Sequence, residues 1–289
     1  MTGQPAKKPG EIAFPGFSCV IIMTMKVGSV ALKSPQRRLR RLGINFIWFL
    51  ASLALIGTLL YFVFRVNLTV TADDALREGR LLLSKQTVLA VVAHPDDLEW
   101  YIGGTLRRLA DAGADVQVIV ASLGEKGPNR TGVPNLPEAR RQEQLDAADI
   151  NGYRRVHFLE LPDRGVAADP RFLPRVTEIF RQVRPDAVLV FDPQFPSLPY
   201  LHTDHQGSAR VFLGFWRTLG EDRPPVYLFQ TRRPNVAVDI SPVVDIKARA
   251  LAQHRTQNGS GGSGRMSQVF KEQGTLVGVA SAETFRVMR

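Results

Sequence analysis

Thr87-Val-Leu-Ala-Val-Val-Ala93 runs directly into His94-Pro95-Asp96-Asp97. The first seven residues are almost wholly apolar, with no polar alternation. That pattern fits a parallel strand buried on both faces. Val188-Leu-Val-Phe191 has the same character, and His202-Thr203-Asp204-His205 follows it. In an open α/β sheet the carboxyl ends of the strands line the ligand crevice. Two such strands would deliver three His and three Asp to one edge.

Around these strands the chain alternates between strand and helix signals. The pattern predicts a helix over about 98–112, a strand over Asp115–Ala121 and a glycine-containing loop from Gly124 to Pro137. A helix over about 138–150 follows, with Asn151-Gly152 as its stop signal. Then come a strand at Arg155–Leu161, a helix at Pro170–Val183, the strand Ala187–Phe191, a helix at about 204–219 and a strand at Val226–Gln230. A helical stretch covers Val243–Arg255, and Asn258–Gly264 reads as a flexible loop. The alternation predicts an α/β fold, a Rossmann-like doubly wound and mostly parallel sheet with helices on both faces.

This body, 87–289, is preceded by three other segments: 1–43, 44–64 and a linker, 65–86, with a helical pattern. The net charge of +10 is concentrated at the start. Residues 1–43 carry eight Lys/Arg and one acid, Glu11. The basic run has no interleaved aromatics, so the composition argues against a nucleic-acid partner. Ile44–Phe64 is uncharged over 21 residues; as a helix it spans roughly 31 Å, the thickness of a bilayer core. Arg37, Arg38, Arg40 and Arg41 precede it. The positive-inside rule then keeps the N-terminus cytoplasmic and places the body outside, a single-pass membrane protein. Thr69-Val70-Thr71-Ala72 leaves a cleaved signal peptide open as the alternative. The single cysteine, Cys19, precedes the helix, so no disulfide can form within the body.

The two clusters suit metal-assisted hydrolysis. Three protein ligands with an open position make a catalytic zinc site, and His94, Asp97 and His205 would supply them. Asp96, whose side chain diverges from that of Asp97, is left to act as the base. His202 can stabilise an oxyanion and protonate a leaving nitrogen, with Asp204 holding it charged.

Ala93-His-Pro-Asp-Asp97, Leu123-Gly-Glu-Lys-Gly127, Arg140-x-x-Glu143, Arg184-Pro-Asp-Ala-Val-Leu-Val-Phe-Asp192, His202-Thr-Asp-His205, His254-Arg-Thr-Gln257 and Glu283-x-Phe285 together resemble the PIG-L/LmbE-like de-N-acetylases. The likeness covers about Thr87–Arg289. It implies a zinc-dependent (or iron(II)-dependent) deacetylase of an N-acetylglucosamine-type glycolipid or glycan. It also implies His94, Asp97 and His205 as ligands, Asp96 as general base and His202 as acid or oxyanion group. Two positions depart from the family pattern: Leu98 stands directly after the Asp pair where the family usually has Glu, with Glu99 following, and Thr203 stands where the family commonly has Pro. Two other readings stay open: a metal-dependent amidase on a non-sugar substrate, and a glycan-binding module without turnover.

Other polar residues have plainer readings beside functional ones. Arg140 and Glu143 read as a solvated helix pair or as cleft residues, and Glu125-Lys126 as loop residues near the site. His157 reads as a core or sheet-face histidine, and His254 as a core or pocket histidine. Trp100 and Tyr101 read as core aromatics or as a sugar-stacking surface.

Overall fold

In the computed structural model the described residues are 35–194, 203–221, 223–259 and 264–289. In chain order the elements are α1 (Pro35–Phe64), α2 (Ala72–Leu83), β1 (Thr87–Val92), α3 (Asp97–Tyr101), α4 (Gly103–Asp111), β2 (Asp115–Ser122), α5 (Leu136–Asn151), β3 (Arg155–Leu161), α6 (Phe172–Val183), β4 (Ala187–Phe191), α7 (Thr203–Trp216), β5 (Val226–Phe229), β6 (Val236–Asp239), α8 (Val244–Leu251), α9 (Arg255–Asn258), α10 (Gly264–Val277) and β7 (Ala282–Met288). The contacts divide the chain into two units, 1–60 and 61–289.

Within α1, Ile44–Phe62 is a 19-residue stretch of mean hydropathy 1.9 with none of it buried. Phe46, Trp48, Leu55 and Phe62 stand exposed along it. By length and composition it is a helix able to cross a bilayer.

The second unit is an α/β body around a seven-stranded sheet of order β3-β2-β1-β4-β5-β7-β6. The first five strands in that order run parallel, and β7 is antiparallel to both β5 and β6. The mixed edge departs from a simple reading of strand–helix alternation. β6 has only four residues, and β7 (AETFRVM) carries a charge at every third position, so neither gives a strong strand signal. Val88–Val92 and Ala187–Phe191 are buried throughout, as their apolar runs require. The chain winds outward from β1 to β3 on one side and from β4 to β5 on the other. The switch point therefore falls between β1 and β4, the position where such sheets bind ligands. Asp186 ties the starts of these two strands together by accepting from the amides of Gln86 (3.0 Å) and Thr87 (3.1 Å).

Two local readings change. The helix expected over 98–112 breaks at Ile102 (φ −138°) into α3 and α4. The break lets the amides of Gly104 and Thr105 reach the buried Glu283 carboxylate at 2.9 and 2.7 Å. The segment read as a linker also belongs to the body. Asn67 and Thr69 donate their amides to the carbonyls of Arg232 and Pro234, and α2 packs on β6. Gly79 makes that packing possible, because a Cβ there would sit 1.9 Å from the Ala237 carbonyl oxygen. Gly79→Val is therefore expected to destabilise the body by about 1–3 kcal/mol or more, read as a lowered denaturation midpoint. An unchanged midpoint would mean that α2 does not lie on β6.

Candidate metal centre and active site

β1 delivers His94 to the switch point, and a tight turn folds the chain back over it. Asp97 Oδ2 accepts from the amides of Ala93 (3.2 Å) and His94 (2.8 Å). Asp96, in the middle of the turn, takes φ 90°, the left-handed region. For a residue with a side chain that conformation costs of order 1–3 kcal/mol and marks a spot held by its surroundings. The Gln144 side-chain oxygen accepts from the Asp96 amide at 3.2 Å. Arg140 supports the turn from α5. Its Nη2 donates to the Pro95 carbonyl at 2.6 Å, and its Nη1 donates to the Gly124 carbonyl at 2.8 Å. Gly124 has φ 66°, and a Cβ there would stand 2.1 Å from Arg140 Nη1, so only glycine fits.

The second cluster arrives on the first turn of α7. The His205 ring stacks on Phe191 at the end of β4, with centroids 4.1 Å apart and planes 7° apart. Tyr101 meets the His205 ring edge-on at 6.4 Å. His205 Nε2 lies 3.0 Å from Asp97 Oδ1 and 3.2 Å from His94 Nδ1, and His94 Nδ1 lies 3.7 Å from Asp97 Oδ2. All three side chains are buried. Ligand atoms about 2.0–2.2 Å from a tetrahedral zinc stand roughly 3.2–3.6 Å from one another. The spacing and the two-nitrogen, one-oxygen donor set therefore fit a divalent metal held by His94, Asp97 and His205.

The other ring nitrogen of His94 is held as well. Its Nε2 lies 3.2 Å from Asp163 Oδ1 and 3.5 Å from Asp204 Oδ2. Metal-ligating histidines commonly donate this second N–H to a carboxylate, which fixes the tautomer and the ring orientation. Both carboxylates are themselves anchored. Asp163 accepts from the Lys126 amide at 3.0 Å, and its own amide donates to Glu125 at 2.8 Å. Asp204 accepts from the amides of Arg164 (2.6 Å) and Val166 (3.1 Å). Asp204 thus serves His94 in the described structure. Its expected partner, His202, lies outside the described residues.

The carboxylates set the protonation of the cluster. Burial opposes charge on His94, yet its hydrogen bonds to Asp163 and Asp204, with Asp97 nearby, raise its pKa to about 10. Burial works against the Asp97 anion too, but His205 and His94 hold its pKa down at about 2. Burial pushes the Asp96 carboxyl up to about 6 against the pull of Arg140, whose Nη2 is 3.6 Å away.

The remaining candidates fall mainly into supporting roles. Arg140 and Glu143 are buried, not solvated. Glu143 accepts from the Thr256 amide (2.8 Å) and hydroxyl (2.6 Å), joining α5 to α9. Glu125 and Lys126 shape the loop that holds Asp163, as read from the sequence. His157 lies on the edge strand and bonds to Gln117 at 2.9 Å. His254 is fully buried against Glu99 at 3.0 Å and so does not line a pocket. Tyr101 packs on Phe191 and Phe229. Sequence reasoning missed Asp163, although Leu161-Pro162-Asp163 sits at the carboxyl end of a parallel strand, the same signal that picked out His94. Asp163→Asn, which keeps the shape but weakens the acceptor, is expected to lower metal affinity about 10–100-fold, measured by competition with a chromophoric chelator.

Known proteins place this site in context. Residues 89–214 match the family model PIG-L, described as GlcNAc-PI de-N-acetylase. The chain is 30% identical over 190 residues to the diacetylchitobiose deacetylase of Thermococcus kodakarensis, covering 59% of this chain and 69% of that protein. It is also 30% identical over 187 residues to the 4-oxalmesaconate hydratase of Pseudomonas putida, covering 58% and 72% respectively. The fold superposes on the N,N'-diacetylchitobiose deacetylase of Pyrococcus horikoshii with a TM-score of 0.66 at 24% identity, over 75% of this chain and 88% of that one. By this extent of similarity the chain belongs to the PIG-L (GlcNAc-PI de-N-acetylase) family.

Proposed function

We propose that this protein is a membrane-anchored, metal-dependent de-N-acetylase that hydrolyses the acetamide of an N-acetylglucosamine-type glycoconjugate to amine and acetate. The observation that carries the reading is the His94–Asp97–His205 triad, at the mutual spacing of zinc ligands and next to Asp96. Zinc suits the donor set, and iron(II) is the alternative.

A metal held there would supply Lewis acidity toward the acetamide carbonyl and make water acidic enough to attack near neutrality. Asp96 takes the proton of the attacking water; its raised pKa brings it closer to the working pH. Arg140 holds the turn that carries Asp96. Asp163 and Asp204 orient His94 through its Nε2. We assign His202 to the oxyanion and to the departing nitrogen. An open cavity of about 350 Å³ near the ends of β2 and β3 is lined by Leu123, Glu125, Leu161 and Pro162 and by none of His94, Asp96, Asp97 or His205.

α1 is the proposed anchor, with the N-terminus cytoplasmic and the body outside. Only Arg65 and Val66 separate α1 from Asn67, the first residue tied to the body. A reporter fused after Arg289 that is active only outside the cytoplasm supports this topology; one active only inside refutes it.

The hydratase among the relatives supports a second reading, addition of water to an unsaturated acid on the same scaffold. Metal-loaded protein offered both an N-acetylglucosaminyl lipid and 4-oxalmesaconate separates the two. Acetate release from the first supports deacetylation. Loss of conjugation absorbance from the second, with no acetate from the first, would replace it with hydration.

A further inference from the structure

We infer that Gln144, locked in one orientation by a buried Glu99–His254 pair, is a positioning residue for Asp96; this inference rests on the hydrolase reading above. Glu99, Gln144, Asn151 and His254 are all fully buried, on α3, on α5 and just before α9. The Glu99 carboxylate accepts from Gln144 Nε2 (3.3 and 3.4 Å), Asn151 Nδ2 (3.2 Å) and the Tyr153 hydroxyl (3.0 Å), and it meets His254 Nε2 at 3.0 Å. A carboxylate ringed by donors can only accept, so the Gln144 amide nitrogen must face it. The Gln144 oxygen then has one direction left, toward the Asp96 amide at 3.2 Å. A flipped Gln144 would set two donors against each other at Asp96.

Buried ionic networks of this kind rarely stabilise a fold more than apolar packing would. This one reaches the reactive turn through Gln144, at a residue held at φ 90°. The geometry accounts for both features if the network's role is to keep Asp96 in its left-handed conformation with its carboxyl at the site. The groups that face Gln144 are Asp96 and Glu99, with His254 behind Glu99.

The test uses full-length protein in detergent, loaded with zinc, and acetate release from an N-acetylglucosaminyl lipid. Gln144→Leu is expected to lower kcat about 10–100-fold while KM and bound zinc stay within about twofold. In a crystal structure of that variant, Asp96 is expected to leave the left-handed region. Gln144→Glu keeps an acceptor for the Asp96 amide, and once its carboxyl is protonated it also keeps a donor for Glu99. The ratio of its kcat to that of wild type at the same pH should therefore rise as pH falls, a response that a merely structural residue would not give. Should Gln144→Leu fail to fold, Gln144→Glu carries the test. An unchanged kcat in Gln144→Leu overturns the inference, as does a pH-independent loss in Gln144→Glu. If wild type releases no acetate, the hydrolase reading fails separately. Asp96 in the crystal structure of Gln144→Leu then decides the role of Gln144, and a φ that stays near 90° in that variant overturns it.

Discussion

His205→Ala is expected to abolish stoichiometric metal binding and to lower deacetylation by about 10³-fold or more, equivalent to several kcal/mol of transition-state stabilisation. In the proposed site His205 would supply one of three ligand atoms, and its loss would leave only His94 Nδ1 and the Asp97 carboxylate to hold an ion. It is also the part of the triad that comes from the second half of the sheet, carried by α7 and seated flat on Phe191. The variant therefore asks whether β1 and β4 really bring their clusters to one point. The control is stability, because removing the ring also uncovers Phe191. A fall in metal content with the folded fraction preserved, measured by elemental analysis beside circular dichroism, locates the effect at the site. Full metal content in the variant would show that His205 is not a ligand.

Asp96→Asn is expected to lower kcat by about 10²–10⁴-fold with the metal content unchanged. The substitution keeps the size of the side chain and its place in the turn but removes the proton acceptor. Asparagine also tolerates left-handed backbone better than most residues, so the φ of 90° survives the change. Retained metal with lost turnover is the signature that separates a base from a ligand. A glycan-binding module would bind its ligand equally well with either residue. Loss of metal together with activity would instead make Asp96 part of the coordination sphere, and retained kcat would remove it from the proton path.

The convergence at the heart of the site was legible because it follows from a local pattern and one topological rule. Val88–Val92 and Ala187–Phe191 are apolar on both faces, so they read as central parallel strands, and the residues after them fall in the crevice. The order of the parallel strands puts β1 and β4 side by side at the switch point. What sequence reading missed depends on contacts far apart in the chain. Arg140 looks like a surface residue until Gly124 and Pro95, which follow other strands, are seen presenting carbonyls to it. Glu99 stands one place beyond the position where the family usually has Glu, and that shift left its role open. It is buried only because Gln144, Asn151, Tyr153 and His254 surround it. β6 and β7 were unreadable for a different reason. β6 is short, and β7 takes its pairing from β5 and β6 instead of announcing itself by pattern. Asp163 could have been found by applying the strand-end rule to β3 as it was applied to β1 and β4.

The family also carries a lesson about how far a site specifies a reaction. Relatives at the same level of identity bear the names of a deacetylase and of a hydratase. A metal triad with a neighbouring base suits both, since each needs an activated water. The reaction is chosen by what the surrounding loops admit, not by the fold.

The most direct measurement of the central claim is acetate released from an N-acetylglucosaminyl lipid by the full-length protein before chelation, after chelation and after restoration of one equivalent of zinc. The account predicts release that disappears with the metal, returns with one equivalent per chain and stays absent in His205→Ala. Release that survives complete removal of metal, or none at all from protein carrying one zinc per chain, would contradict it.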